Sequence, residues 1–64
     1  MVKLDKIRGL MAEHRDTQES LANKLGVSKQ LVNLKLLGKS PFSIEQLAKV
    51  AHLYGVTTQE LIED

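Results

Sequence analysis

A chain of 64 residues allows one domain at most, and at this size folding buries only about 60% of the surface the unfolded chain exposes, so caps and turns weigh heavily. There is no cysteine, which excludes disulfides, thiolate metal sites and cysteine nucleophiles together, and no apolar run approaches the about 18 residues a membrane span needs. Net charge is only +1 but unevenly spread: residues 26–40 carry Lys29, Lys35 and Lys39 with no acid, whereas residues 55–64 carry Glu60, Glu63 and Asp64 with no base.

Apolar spacing is helical throughout and strand alternation is absent. A first helix is expected from about Lys3 to His14, with Leu4, Ile7, Leu10, Met11 and His14 on one face and Gly9 weakening it slightly. A second runs from about Thr17 to Leu25. Asp16 or Thr17 can cap it, and Asp16 with Glu19 has the spacing of a capping box. Leu21, Ala22 and Leu25 form its inner face, and Gly26 ends it. A third helix starts just after Ser28, with Val27 and Val32 as a hydrophobic staple, and stops before Gly38.

The fourth helix has the clearest start. Ser43 and Gln46 make a capping box and Phe42 with Leu47 a staple; Ile44, Leu47, Ala48 and Ala51 face inward, and Gly55 ends the helix. A fifth helix repeats the device, with Thr57 and Glu60 as the box and Val56 and Leu61 as the staple. Pro41 sits in the connection between the third and fourth helices, where it breaks nothing.

The second and third helices are joined by the tight turn Leu25-Gly26-Val27, the layout of a helix-turn-helix. Over Thr17-Gln18-Glu19-Ser20-Leu21-Ala22-Asn23-Lys24-Leu25-Gly26-Val27-Ser28 the chain closely resembles the Cro/CI-type (lambda-repressor-like, XRE-family) helix-turn-helix family, with Gln18, Ala22, Gly26, Val27 and Ser28 matching. The resemblance continues through Gly38-Lys39, Leu47, Ala51 and Leu53-Tyr54-Gly55-Val56-Thr57, and so covers nearly the whole chain. It implies an all-α, compact five-helix lambda-repressor-like domain over residues 1–64, with the helix-turn-helix at helices 2 and 3. It also implies duplex DNA as partner, often bound as a dimer on a palindromic operator, and action as repressor or activator. With no room for a ligand-sensing domain, the chain is similar to a stand-alone Cro-like regulator of phage or prophage type.

On a helical wheel of about 100° per residue with Leu31 at zero, Val32 and Leu36 lie near 100° and 140°, Lys35 near 40° and Leu34 near 300°; Lys29, Asn33, Leu37 and Gln30 span about 160° to 260°. Lys29, Gln30 and Asn33 thus share an outward face with the chemistry to read base edges, lysine donating to guanine and the amides pairing with adenine. The same residues also make an ordinary polar surface. Leu34 can meet thymine methyl groups, and Leu31, Leu34 and Leu37 are open to three readings: core, thymine contact or a protein-binding patch.

The resemblance assigns Gln18 to a phosphate at the start of helix 2 and Lys39 to a basic position after helix 3. Thr17 and Ser28 have capping roles and candidate phosphate contacts, and Ser40 joins Lys39 in the loop. Lys35 departs from the family, which commonly has an apolar residue there and a polar one at Leu36; its stem is expected to pack while its ammonium snorkels outward to phosphate.

His14 and His52 lack metal-ligand spacing, the glycines are isolated, and no nucleophile, base and orienting group can be assembled, so no enzyme, metal or cofactor is expected. Charges interrupt the N-terminus at once, which argues against a signal peptide and for a cytoplasmic location. The leading expectation is a sequence-specific duplex-DNA-binding regulator, a weak homodimer joined near helices 4 and 5 through Tyr54 and Val56. The alternative is a protein-interaction module, an antitoxin-like partner or repressor modulator, using Leu34 and Leu37.

Overall fold

Four α-helices and a closing 3-10 turn make up the chain in a computed structural model that describes residues 1–62. Glu63 and Asp64 of the expected acidic end lie outside the described residues. α1 spans Leu4–Glu13, α2 Gln18–Leu25, α3 Lys29–Leu36 and α4 Ile44–Tyr54, and the turn takes Thr58–Leu61. Among the described residues there is no strand, only an isolated antiparallel bridge between Val2 and Ile62, and no helix is long and apolar enough to cross a membrane.

Each element after α1 begins on a hydroxyl. Thr17 accepts from the Ser20 amide, Ser28 from Leu31, Ser43 from Gln46 and Thr57 from Glu60, satisfying amides that the helices cannot. The boxes expected at Ser43–Gln46 and Thr57–Glu60 are both present. At α2, by contrast, Thr17 caps and Ser20 returns the bond, because the Asp16 carboxylate expected to pair with Glu19 is turned into the protein.

All four helices also end alike. Just past each helix an amide closes onto a carbonyl five residues back: Asp16 onto Met11 at 2.8 Å, Val27 onto Ala22 at 3.0 Å, Lys39 onto Leu34 at 2.9 Å and Val56 onto Ala51 at 3.0 Å. That closure needs one left-handed residue in between. Glycine supplies it after three helices, at φ 72, 78 and 68, but after α1 it falls to Arg15 at φ 56.

Every element sends one side chain to the centre: Ile7, Leu21, Val32, Val50 and Leu61 have essentially no exposure. Two expectations for α4 change. Ile44 is 80% exposed and Ala48 is exposed, while Leu47, Val50, Ala51 and Tyr54 are buried. The Ser43 cap makes Ile44 the first helical residue, on the turn that faces solvent, and the buried Phe42 anchors the entry instead. The expected fifth helix is a single 3-10 turn, because Ile62 is extended, bridges to Val2, and is drawn off the helical path as the Lys3 amide takes the Leu61 carbonyl at 2.8 Å.

Asp16 joins the connection between α1 and α2 to the far end of α4. Its side chain is only 4% exposed. One carboxylate oxygen accepts from Lys24 Nζ and Ser20 Oγ, both at 2.8 Å, and the other accepts from the Tyr54 hydroxyl at 2.8 Å. His14 stacks on Tyr54 with ring centroids 4.7 Å apart. The Lys24 bond, aided by those from Tyr54 and Ser20 and opposed by burial, holds the Asp16 carboxyl at about 2 against a usual 3.8. Burial, and then the adjacent carboxylate, pushes the Tyr54 hydroxyl above its usual range. Tyr54 therefore faces inward and is not available to a dimer interface.

Two predictions follow the same thermal or urea melts. A carboxyl whose pKa is depressed on folding stabilises the protein above its unfolded pKa and loses that contribution as pH falls through the folded value. Asp16 should therefore supply about 2 kcal/mol at neutral pH that disappears between about pH 4 and pH 2. Asp16→Asn should be less stable at pH 7 by about that amount, with the gap narrowing over that range; a gap unchanged down to pH 2 would mean that ionisation of Asp16 contributes nothing. Arg15→Gly should be more stable by about 0.5–1 kcal/mol, a rise in Tm of about 4 °C, because relief of left-handed strain outweighs the added freedom of the unfolded chain. A fall in Tm would show that Arg15 is not strained.

Candidate nucleic-acid interface

α2, the turn at Gly26 and α3 form a helix-turn-helix. The turn holds because the Val27 amide returns to the Ala22 carbonyl, and Ala22, 2% exposed, is small enough to let α3 lie against α2. Ser28 then starts α3 by accepting from the Leu31 amide at 3.1 Å.

α3 buries Val32, Lys35 and Leu36, which fixes its rotation: the buried arc runs from about 40° to 140° on the wheel used above. Lys29, Gln30 and Asn33 are exposed together on the opposite side. Leu31 is half-buried, while Leu34 and Leu37 are 40% and 52% exposed, so the three leucines divide between the core edge and the surface.

At the start of α2, Gln18 is half-buried and its Nε2 donates to Asn33 Oδ1 at 3.3 Å. This joins the residue expected on phosphate to one expected on a base and leaves the Asn33 amide nitrogen available as a donor. Thr17 and Ser28 are exposed, with their oxygens occupied as helix caps. Lys39 is exposed and Ser40 half-buried on the loop after α3. Lys29 and Lys39 thus bracket the amide face, at opposite ends of a helix about 12 Å long.

Lys35 is a correction. It is 5% exposed, its Nζ donates to the Pro41 carbonyl at 2.6 Å and lies 5.5 Å from the Phe42 ring centroid. The ammonium points into the loop instead of out to solvent, because a carbonyl and an aromatic face lie within its reach there. Lys24, just ahead of the acid-free stretch, is tied to Asp16. The basic middle of the sequence therefore turns fewer charges outward than its composition promises.

Arg8 carries a role that sequence reasoning missed. From α1 it donates Nη2 to the Leu36 carbonyl at 2.8 Å, placing a cation on the carbonyl end of α3. The partners are 28 residues apart, and no local spacing signals the bond.

A family model described as the BetR domain matches residues 1–64. An uncharacterized HTH-type transcriptional regulator of Methanocaldococcus jannaschii is 37% identical over 57 residues, which cover 89% of this chain and 86% of that protein. No solved structure matches the chain.

Proposed function

The chain belongs to the BetR domain family, and from that premise we propose that it is a sequence-specific DNA-binding regulator of transcription whose α3 enters the major groove. The observation that carries this reading is the single outward face of Lys29, Gln30 and Asn33, braced by Gln18 and free of acidic side chains. The 37% identity to a protein named as an HTH-type transcriptional regulator supports the regulatory role.

On this reading Lys29, Gln30 and Asn33 meet base edges, with Leu34 against a thymine methyl group. Gln18, Lys39 and Ser40 meet the backbone, joined by the amide-rich helix starts at Thr17 and Ser28. Lys35 is no longer among the direct phosphate contacts. The finer reading is a Cro-like repressor that binds a palindromic operator as a weak homodimer. Two modules reading half-sites about 34 Å apart give affinity that one short helix lacks. With Tyr54 facing inward, a dimer has Val56 left from the expected pair.

Selection from a randomised duplex pool, repeated over several salt concentrations, tests this. An enriched site of two symmetric halves is expected. Gln30→Ala or Asn33→Ala should each relax preference at one position by about 1–3 kcal/mol, while Lys39→Ala should weaken all sites alike and reduce the salt slope by about 0.9. No enrichment from the pool, or unchanged preference in both amide variants, would overturn the docking.

The 40% and 52% exposure of Leu34 and Leu37 favours a second reading, a helix-turn-helix module that binds another protein. Leu34→Glu and Leu37→Glu should then each abolish partner capture at unchanged fold; undiminished capture by both would eliminate this reading.

A further inference from the structure

The loop from Leu37 to Ser43 connects α3 to α4 and carries two of the residues assigned above to the DNA backbone. Its first half is joined to α3 through main-chain amides alone: the Gly38 amide donates to the Lys35 carbonyl at 3.1 Å, and those of Lys39 and Ser40 share the single Leu34 carbonyl at 2.9 and 3.3 Å. Its second half has weaker means. Pro41 has no amide hydrogen to give, and the buried Phe42 ring is the apolar anchor. The polar tie from α3 to this half is the Lys35 ammonium on the Pro41 carbonyl.

Burying that ammonium is costly. The hydrogen-bond partner recorded for it is a neutral carbonyl, and among the described residues no carboxylate lies within ion-pair distance. A buried charge of this kind adds little to net stability, since an apolar side chain of similar length fills the same space without the desolvation penalty. Methionine would serve packing as well. What methionine cannot do is hold the Pro41 carbonyl.

We infer that Lys35 is a positioning residue for DNA binding: its buried ammonium fastens the loop after α3 so that Lys39 and Ser40 are held ready for the phosphate backbone. The inference rests on the DNA-binding reading for its consequence and on the Lys35–Pro41 geometry for the fastening. Arg8 works beside it on the Leu36 carbonyl, so the carbonyl end of α3 is held by one cation and its following loop by another. This differs from a direct phosphate contact by Lys35, which would need the ammonium to leave the Pro41 carbonyl.

The test compares Lys35→Met and Lys35→Arg with wild type. Without DNA, Lys35→Met should melt at or above the wild-type temperature, yet its Lys39 and Ser40 amides should exchange with solvent about tenfold faster. Lys35→Arg, which keeps a charged donor, should retain near-normal protection. With the selected duplex, Lys35→Met should bind about five- to tenfold more weakly, with a salt slope reduced by about 0.9, and adding Lys39→Ala should cost little more. Unchanged amide exchange in Lys35→Met, or equal loosening in Lys35→Arg, overturns the fastening. Loosening without any change in slope overturns its link to DNA. Losses from Lys35→Met and Lys39→Ala that simply add identify Lys35 as an independent phosphate contact and overturn the inference. A wild-type protein with no preferred duplex refutes the DNA-binding reading itself, and the exchange measurement still decides the fastening.

Discussion

Asp16 is the constraint on which the arrangement of helices depends. It lies in the four-residue interval between α1 and α2, and its carboxylate accepts hydrogen bonds from a lysine and a serine on α2 and from the last residue of α4. Three segments that sequence separates by as many as 38 positions are thereby fixed to one group. The arrangement is self-consistent because each donor removes part of the penalty for burying the charge: Lys24 supplies the counter-charge, while Ser20 and Tyr54 supply neutral hydrogen bonds. A chain this short has few side chains with which to fill a core, so a polar junction at its edge matters more than it would in a larger domain. It also sets the start of α2, since an inward Asp16 leaves the cap to Thr17, and the first turn of α2 is where Gln18 meets Asn33.

The helix ends make a related point about how strain is distributed. Four similar closures are needed and three have glycine. The exception, Arg15, directly precedes Asp16. Its left-handed backbone is held in place by the bond from the Asp16 amide to Met11 on one side and the buried Asp16 carboxylate on the other. Strain persists where the surroundings over-determine it, and the residue beside the most constrained side chain of the fold meets that condition.

Much of this was legible in the sequence because its signals are local. Glycine and hydroxyl residues mark the helix ends within a few positions, and the wheel drawn from Leu31 puts Val32, Lys35 and Leu36 on the buried arc. What escaped depends on distance in sequence or on competition between partners. Asp16 with Glu19 has the spacing of a cap, but a lysine eight residues ahead and a tyrosine at the other end of the chain outbid it. Ile44 is apolar and near the right phase, yet a cap one residue earlier turns it to solvent. Lys35 was placed correctly on the buried side and given the wrong exit: a long stem allows snorkelling, and only the three-dimensional position of Pro41 shows that an inner acceptor lies closer. The last helix fails for a similar reason, since local capping chemistry starts it and the bridge from Ile62 to Val2 near the N-terminus stops it.

These inward uses of charge bear on how such a module can find DNA. Of the lysines between Ser20 and Ser43, Lys24 is spent on Asp16 and Lys35 on Pro41, which leaves Lys29 and Lys39 for an incoming backbone. Counter-ion release scales with the phosphates neutralised, so indiscriminate attraction to duplex is modest for one copy. Affinity on this reading must then come from terms that discriminate: base-edge bonds from an amide face already oriented by Gln18, loop contacts already in position, and the pairing of two copies across two half-sites. Preorganisation matters most in such a case, because each contact that does not have to be ordered on binding saves entropy that two lysines cannot offset. The two cations engaged on carbonyls, Arg8 at the end of α3 and the buried Lys35 on the loop beyond it, are consistent with that demand. They contribute shape to the surface where charge is scarce.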